Sequence, residues 1–262
     1  MNPLHDYLCA QLDEKLAERR VVVFYDVLGW RSKIETAGAE PKEIGELRSL
    51  VLLHSRLLRQ PAKFPFNVST FSDNVVISIG PDRAVVPFLL RALAIIQLST
   101  VSRGFLLRGG VAIGDICHDD EVVFGPGLVR AYDIESNVAK FPRIVIDQEV
   151  LDTCGPISGF NAFEDGLHFL DPFTTDFIRF MQRGAKNSPP PEHFERGLPG
   201  PEFSFGGTPA DSVLRSIMRG LKGQIRSPLA DKEWEKVAWL YDRLAARLGV
   251  PRASSYPRVR PE

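Results

Sequence analysis

The chain has 262 residues, 44% of them hydrophobic and 25% charged, with a net charge of −1. That profile suits one large folded domain, or a domain with an extension, and supplies neither a basic block for nucleic acid or an anionic membrane surface nor the ~20 apolar residues of a bilayer span. Three scattered cysteines, Cys9, Cys117 and Cys154, give no zinc spacing or disulfide framework, and residues 1–6 lack the features of a secretory leader, so a reducing, cytoplasmic setting is expected.

Leu4, Leu8, Leu12 and Leu16 predict a helix over 3–18. The run Val21-Val22-Val23-Phe24-Tyr25 reads as a strand buried on both faces, closed by Asp26 and followed by Val27-Leu28-Gly29-Trp30. A helix over 41–58 follows, with a proline in its first turn. Residues 66–71 and 75–79 read as an antiparallel hairpin with Ser72-Asp73-Asn74 at its tip. An apolar helix is expected over 85–102. The strand Leu106 to Gly114 comes next, and its glycines signal close backbone approach by something else. Residues 121–124 form its hairpin partner, Gly125-Pro126-Gly127 break the chain, and a helix over 128–139 leads to a strand over 141–147. This order predicts an α+β sandwich with one mainly antiparallel sheet and helices on one face.

After residue 170 the composition changes. Residues 187–207 are rich in proline and glycine and read as a linker. Thr208-Pro209-Ala210-Asp211 then caps a helix carrying Val213, Leu214, Ile217, Met218 and Leu221, and a last helix spans 228–248. The expected segments are an N-terminal helix (1–19), a catalytic domain (20–170) and a loop-rich linker with a helical extension (171–262). The helical pair is free to pack on the domain or on a second subunit.

The chemistry rests on Asp26 and Asp73. Each lies at the lip of a strand, where the sheet fixes the backbone and the carboxylate reaches solvent. Two such groups converging would hold Mg²⁺ or Mn²⁺ through oxygen, with room for water and phosphate. A lone strand-end aspartate also serves as an ordinary turn residue. Arg108 is open to pairing with a neighbouring acid, Gly109-Gly110 to close helix packing and Arg130 to solvation. The five histidines are dispersed and no HExxH or G-x-S-x-G pattern is present, which removes zinc hydrolase and serine hydrolase readings.

Five landmarks in order resemble class III nucleotidyl cyclases. Phe24-Tyr25-Asp26-Val27-Leu28-Gly29 is similar to their first metal motif and Phe71-Ser72-Asp73-Asn74 to the second. Arg108 to Gly114 is similar to the R-x-G-I-x-x-G strand. Phe124-Gly125 with Ala131-Tyr132-Asp133-Ile134-Glu135-Ser136 is similar to the W/Y-G…A-A-R-x-E-S segment, and Arg143-Ile144-Val145-Ile146 to the strand after it. The departures fall at the purine-reading positions, here Ser69 and Val122, and at the transition-state asparagine and arginine, here Val129 and Asp133. Arg130 is a candidate substitute. Taken together, the set resembles the pyrimidine cyclases of the Pycsar anti-phage system.

The resemblance implies a ferredoxin-like class III catalytic domain, a phosphorus–oxygen lyase making cyclic UMP or cyclic CMP as a defence signal. It implies a homodimer with sites between subunits and two Mn²⁺ or Mg²⁺ ions held by Asp26, Asp73 and the Val27 carbonyl. Backbone N–H groups of Val27, Leu28, Gly29 and Trp30 would meet the phosphates, and Arg108, Arg130 and the strand from Arg143 could reach a partner's nucleotide. Two alternatives stand beside this: a catalytically silent, nucleotide-binding cyclase-like domain, and a different palm-type two-metal enzyme, for which the GG[DE]EF signature is missing.

Overall fold

The computed structural model describes residues 17–58, 66–157, 159–183 and 210–260. The helix expected over 3–18 and the linker over 187–207 lie outside these residues, except that Glu18 already opens the first strand. The elements run β1 (Glu18–Val27), α1 (Trp30–Ala37), α2 (Pro41–Leu58), β2 (Asn67–Phe71), β3 (Asn74–Ile79), α3 (Val86–Ser102), β4 (Leu107–His118), β5 (Val123–Phe124) and α4 (Pro126–Asp133). A π-helical turn (Ile134–Val138) continues α4 and leads to β6 (Ile144–Ile146), α5 (Gln148–Cys154), β7 (Asn161–Glu164), β8 (Leu167–Leu170) and α6 (Thr175–Arg183). α7 (Ala210–Ile225) and α8 (Asp231–Leu248) complete the fold.

The strand order is β2-β3-β1-β4-β6-β8-β7, with β5 pairing β4 to one side. All these pairings are antiparallel except β4 with β6. The architecture is therefore α+β with a mainly antiparallel sheet, as the element order predicts. β1 lies inside the sheet, between β3 and β4, because a β-branched and aromatic run has no polar face to show to water. Val21, Val22, Val23 and Tyr25 are all fully buried.

Alternation along β1 divides the core. Val21, Val23, Tyr25 and Val27 pack with α2, α3 and the C-terminal helices, whereas Val22 and Phe24 face a smaller cluster with Ala131 and Ile134. Most helices thus share one face, and α4 with its π turn adds a small layer on the other. Asp26 follows Val22 and Phe24 in the alternation, so it belongs to the α4 side.

Gly110, the second of the paired glycines of β4, explains how α4 comes so close. A Cβ on Gly110 would lie 2.3 Å from the Ala131 carbonyl oxygen and 2.7 Å from Ile134 Cβ. Only glycine leaves space for the helix backbone to rest on the strand.

α7 and α8 join the large core through Leu214, Leu221, Val237 and Leu244, and Gln224 Nε2 donates to the Gly104 carbonyl at 3.0 Å. The helical pair therefore packs on this chain's own core. α8 has Asp231 and Glu233 in its first turn, Arg247 in its last, and Gly249 at φ 63° as its left-handed stop.

Candidate functional site

Antiparallel register brings the two aspartates to one end of the sheet. Tyr25 pairs with Val75 across β1 and β3, so Asp26 is one step from Asn74 and the turn that precedes it. Phe71 pairs with Asn74, which leaves Ser72-Asp73 as a two-residue hairpin turn with Ser72 at φ 57°. Trp30 opens α1 immediately after β1, and its Nε1 donates to Ser72 Oγ at 2.9 Å. The turn after Asp26 is thereby tied to the turn that holds Asp73.

Two further charged residues complete the cluster. Arg108 is the register partner of Asp26 on β4, with Nη2 at 3.7 Å from Asp26 Oδ2. Its stronger partner is Glu135 on the π turn, which accepts from Arg108 Nε and pairs with Nη2. Glu135 is 2% exposed, and Ser136 Oγ donates to its other oxygen at 2.7 Å. The π turn is closed by Ala139 N–H donating to the Ile134 carbonyl at 2.8 Å, a widened ring of the kind that recurs at functional sites.

Acid outweighs base at this end, and Asp26 registers the imbalance. Burial pushes its carboxyl up to about 7; Glu135 adds to the shift, Arg108 opposes it and Asp73 adds a smaller share. Asp26 Oδ1 is buried and has no hydrogen-bond partner among the described residues. A buried carboxylate oxygen without a donor costs free energy unless a proton or a cation satisfies it. Asp26 and Asp73 are the side chains that could hold a divalent cation here. Among the described residues no group of three or more His, Cys, Asp or Glu side chains is set to do so, so any ion would also need backbone, water or ligand oxygens.

The other expected site residues divide. Val27 ends β1 with its side chain in the core. Leu28 N–H donates to the Leu106 carbonyl at 2.8 Å, so it is not free for phosphate, which corrects that expectation. Gly29 takes a left-handed φ of 75° as the N-cap of α1, and no side chain caps the first turn of that helix. Trp30 has a positioning contact with Ser72. Arg108 is held by an acid, the plainer of the two expectations for it.

Arg130 lies elsewhere. Its Nη2 is 2.8 Å from Asp147 Oδ2 and its Nη1 is 2.5 Å from Glu149 Oε2, whose other oxygen binds Arg19 at 2.5 Å. Asp147 follows β6 at the level of Ala112, whose partner Val22 is four residues from Asp26, so the Arg130 ion pair lies about 13 Å along the strands from Asp26. It does not join the Asp26 site within one chain. Arg143 does not reach outward either: it is 2% exposed, donates to the Ala139 carbonyl and stacks near Phe169 and Trp239.

Glu135 is the site residue that motif reading passed over. Its E-S dipeptide was visible in the sequence, but only packing places it beside Asp26. Ser69, the expected purine-reading position, accepts or donates a 3.1 Å hydrogen bond with His118 Nε2, while His118 Nδ1 meets Ser78 Oγ at 2.9 Å. Burial, with Arg20 adding to it, lowers His118 to about 4, so its ring is neutral near pH 7.

No protein-family model matches the chain, and no curated protein matches it. Some solved structures are similar in outline. One is the catalytic core of a rhodopsin-guanylyl cyclase with converted specificity in complex with ATPalphaS, at 15% identity and a TM-score of 0.42, covering 59% of this chain and 97% of that one. Another is the monomeric guanylyl cyclase domain of the RhoGC fusion protein from the aquatic fungus Blastocladiella emersonii, at 17% identity and a TM-score of 0.43, covering 58% and 94%. A third is an adenylate/guanylate cyclase/hydrolase from Silicibacter pomeroyi, at 18% identity and a TM-score of 0.39, covering 59% and 94%. Likeness at this level leaves the activity to be read from the chain's own residues.

Proposed function

We propose that the chain is a metal-dependent nucleotide cyclase that converts UTP or CTP to the 3′,5′-cyclic monophosphate and pyrophosphate, as a homodimer with two Mn²⁺ or Mg²⁺ ions per site. The observation that carries this reading is the unpartnered, buried Asp26 Oδ1 beside Asp73, with the start of α1 directly after it. Asp26, Asp73 and the Val27 carbonyl would hold the ions, which when bound supply the positive charge that stabilises the attacking 3′-oxygen and the triphosphate. The first turn of α1 receives the β- and γ-phosphates on its N–H groups, and Gly29 keeps that approach open. The 3′-oxygen then attacks the α-phosphorus in line, and the bond to the bridging β-phosphate oxygen breaks. Glu135 holds Arg108 so that its guanidinium limits repulsion between the carboxylates.

Pyrimidine preference is supported by Val122, which has no hydrogen-bonding group for a purine edge, and by Ser69, whose short hydroxyl is already engaged with His118 Nε2 at 3.1 Å. A partner chain is supported by Phe124, Val129 and Tyr132, all at least half exposed on and beside α4. From the resemblance in its motifs, the product would act as a second messenger in anti-phage defence inside the cell. Among the described residues no helix is long and apolar enough to cross a membrane.

A silent, nucleotide-binding cyclase-like domain is the second reading, favoured by the engagement of both Arg108 and Arg130 in ion pairs. Purified protein with Mn²⁺ and each ribonucleoside triphosphate in turn separates the two. Cyclic UMP or cyclic CMP is expected, and Asp26→Asn or Asp73→Asn lowers turnover by at least about 10³-fold with an unchanged circular dichroism spectrum. Binding without turnover supports the silent reading, and a cyclic purine product overturns the reading of Ser69 and Val122.

A further inference from the structure

A cavity of about 660 Å³ opens among the C-terminal helices, lined by none of the residues around Asp26. One wall is α7, where Arg215, Arg219 and Lys222 recur at helical spacing and share a face. Met218, Leu248 and Val250 supply apolar surface, and Tyr241 and Tyr256 bring aromatic edges. No acid lines it, and among the described residues no ion pair engages Arg215, Arg219 or Lys222.

The tyrosines are preset. Tyr241 Oη donates to Tyr256 Oη at 3.2 Å, and their rings meet edge to face with centroids 5.9 Å apart. Lys222 Nζ lies 4.5 Å and Arg226 Cζ 5.2 Å from the Tyr256 ring centroid. The hydrogen bond from Tyr241, with these cations adding to it, holds the Tyr256 hydroxyl below the ordinary phenol range.

We propose that this cavity binds an aromatic phosphate of mononucleotide size, with the phosphate on Arg215, Arg219 and Lys222 and the ring against Met218, Leu248 and the tyrosine pair. Two guanidinium groups and an ammonium on one wall match the several oxygens of a phosphomonoester, which a carboxylate would not fill. The apolar remainder has no use for a bare anion, and the volume is that of a small-molecule site. A solvated basic stripe would lie on a convex helix face; this one borders a concavity whose other walls are apolar and aromatic.

Calorimetric titration of the full chain with AMP, UMP, phenyl phosphate and inorganic phosphate tests this. At least one aromatic phosphate is expected to bind, with inorganic phosphate at least tenfold weaker. Arg219→Ala with Lys222→Ala should weaken that binding at least tenfold with an unchanged circular dichroism spectrum, Arg219 being exposed and Lys222 half-buried against the Tyr256 ring. Leu248→Trp, which fills the cavity from its apolar side, should also remove it, whereas Asp26→Asn should leave it unchanged. Absence of binding by every aromatic phosphate, equal binding of inorganic phosphate, survival of binding in the Arg219/Lys222 variant, or its loss in Asp26→Asn would each overturn the assignment.

Discussion

At one end of β1, Arg19 and Arg130 meet Glu149 and Asp147, two cations with two anions, and the arginine side chains are 58% and 47% exposed. At the other end Asp26 and Glu135 flank Arg108, whose side chain is 19% exposed, and Asp73 adds its charge to Asp26. The first set is balanced and solvated, so water and counter-charge already satisfy it and it contributes little to stability. The second is unbalanced and covered, so Asp26 rises to about 7 and keeps an oxygen without a donor. The same residue types, at the two ends of one strand, therefore make a surface clasp in one place and a covered cluster with an excess of acid in the other.

The contrast is open to direct test. Glu135→Ala removes the main partner of a covered arginine, and a stability loss of about 3 kcal/mol is expected in urea unfolding. A loss below 1 kcal/mol would place Glu135 among the dispensable ion pairs. Gly110→Ala drives a methyl group into the Ala131 carbonyl and should cost about 1–3 kcal/mol. By lifting the π turn it should also lower activity, so catalysis at the wild-type level would uncouple α4 from the site.

Acidity provides a subtler measure. The folded chain keeps a proton on Asp26 that the unfolded chain releases above about pH 4. The resulting stabilisation is complete below that pH and is lost as the pH rises through about 7. In chelator, the melting temperature should fall between pH 5 and pH 8, and Asp26→Asn should flatten that decline. A flat wild-type profile would mean that Asp26 is already well solvated.

The smallest expected stability change is at the balanced end. Arg130→Ala should cost less than about 1 kcal/mol. If Arg130 serves the partner's site in a homodimer, the variant is nevertheless inactive. Mixing it with Asp26→Asn protein should then restore about a quarter of wild-type activity, because half of randomly formed dimers have one intact site. No recovery would confine Arg130 to its ion pairs.

Both aspartates could be placed from sequence because their surroundings are local. A β-branched run that ends in Asp26, and a hairpin tip, Ser72-Asp73-Asn74, that holds Asp73, announce themselves by periodicity and turn chemistry, although the turn itself proves one residue shorter. The close approach signalled by Gly109-Gly110 was legible for the same reason. Helix α1, helix α5 and the β7–β8 hairpin were passed over. Their runs are short, and α1 has no side-chain cap, starting instead from a left-handed glycine. The helix expected over 128–139 exists, but its change to a π turn at Ile134 left no mark in the residue pattern.

From its residues alone the chain specified a central strand without a polar face, a hairpin with an acid at its tip and an α+β order of elements, since each depends on neighbours within a turn or two. Packing alone settled that Glu135 would stand beside Asp26 and that Arg130 would not. It also set α7 and α8 on this chain's own core and left an open, basic and aromatic cavity beside them. Those outcomes join groups far apart in the chain, and their cost or benefit comes from burial and mutual charge, which have no value until the backbone has closed around them.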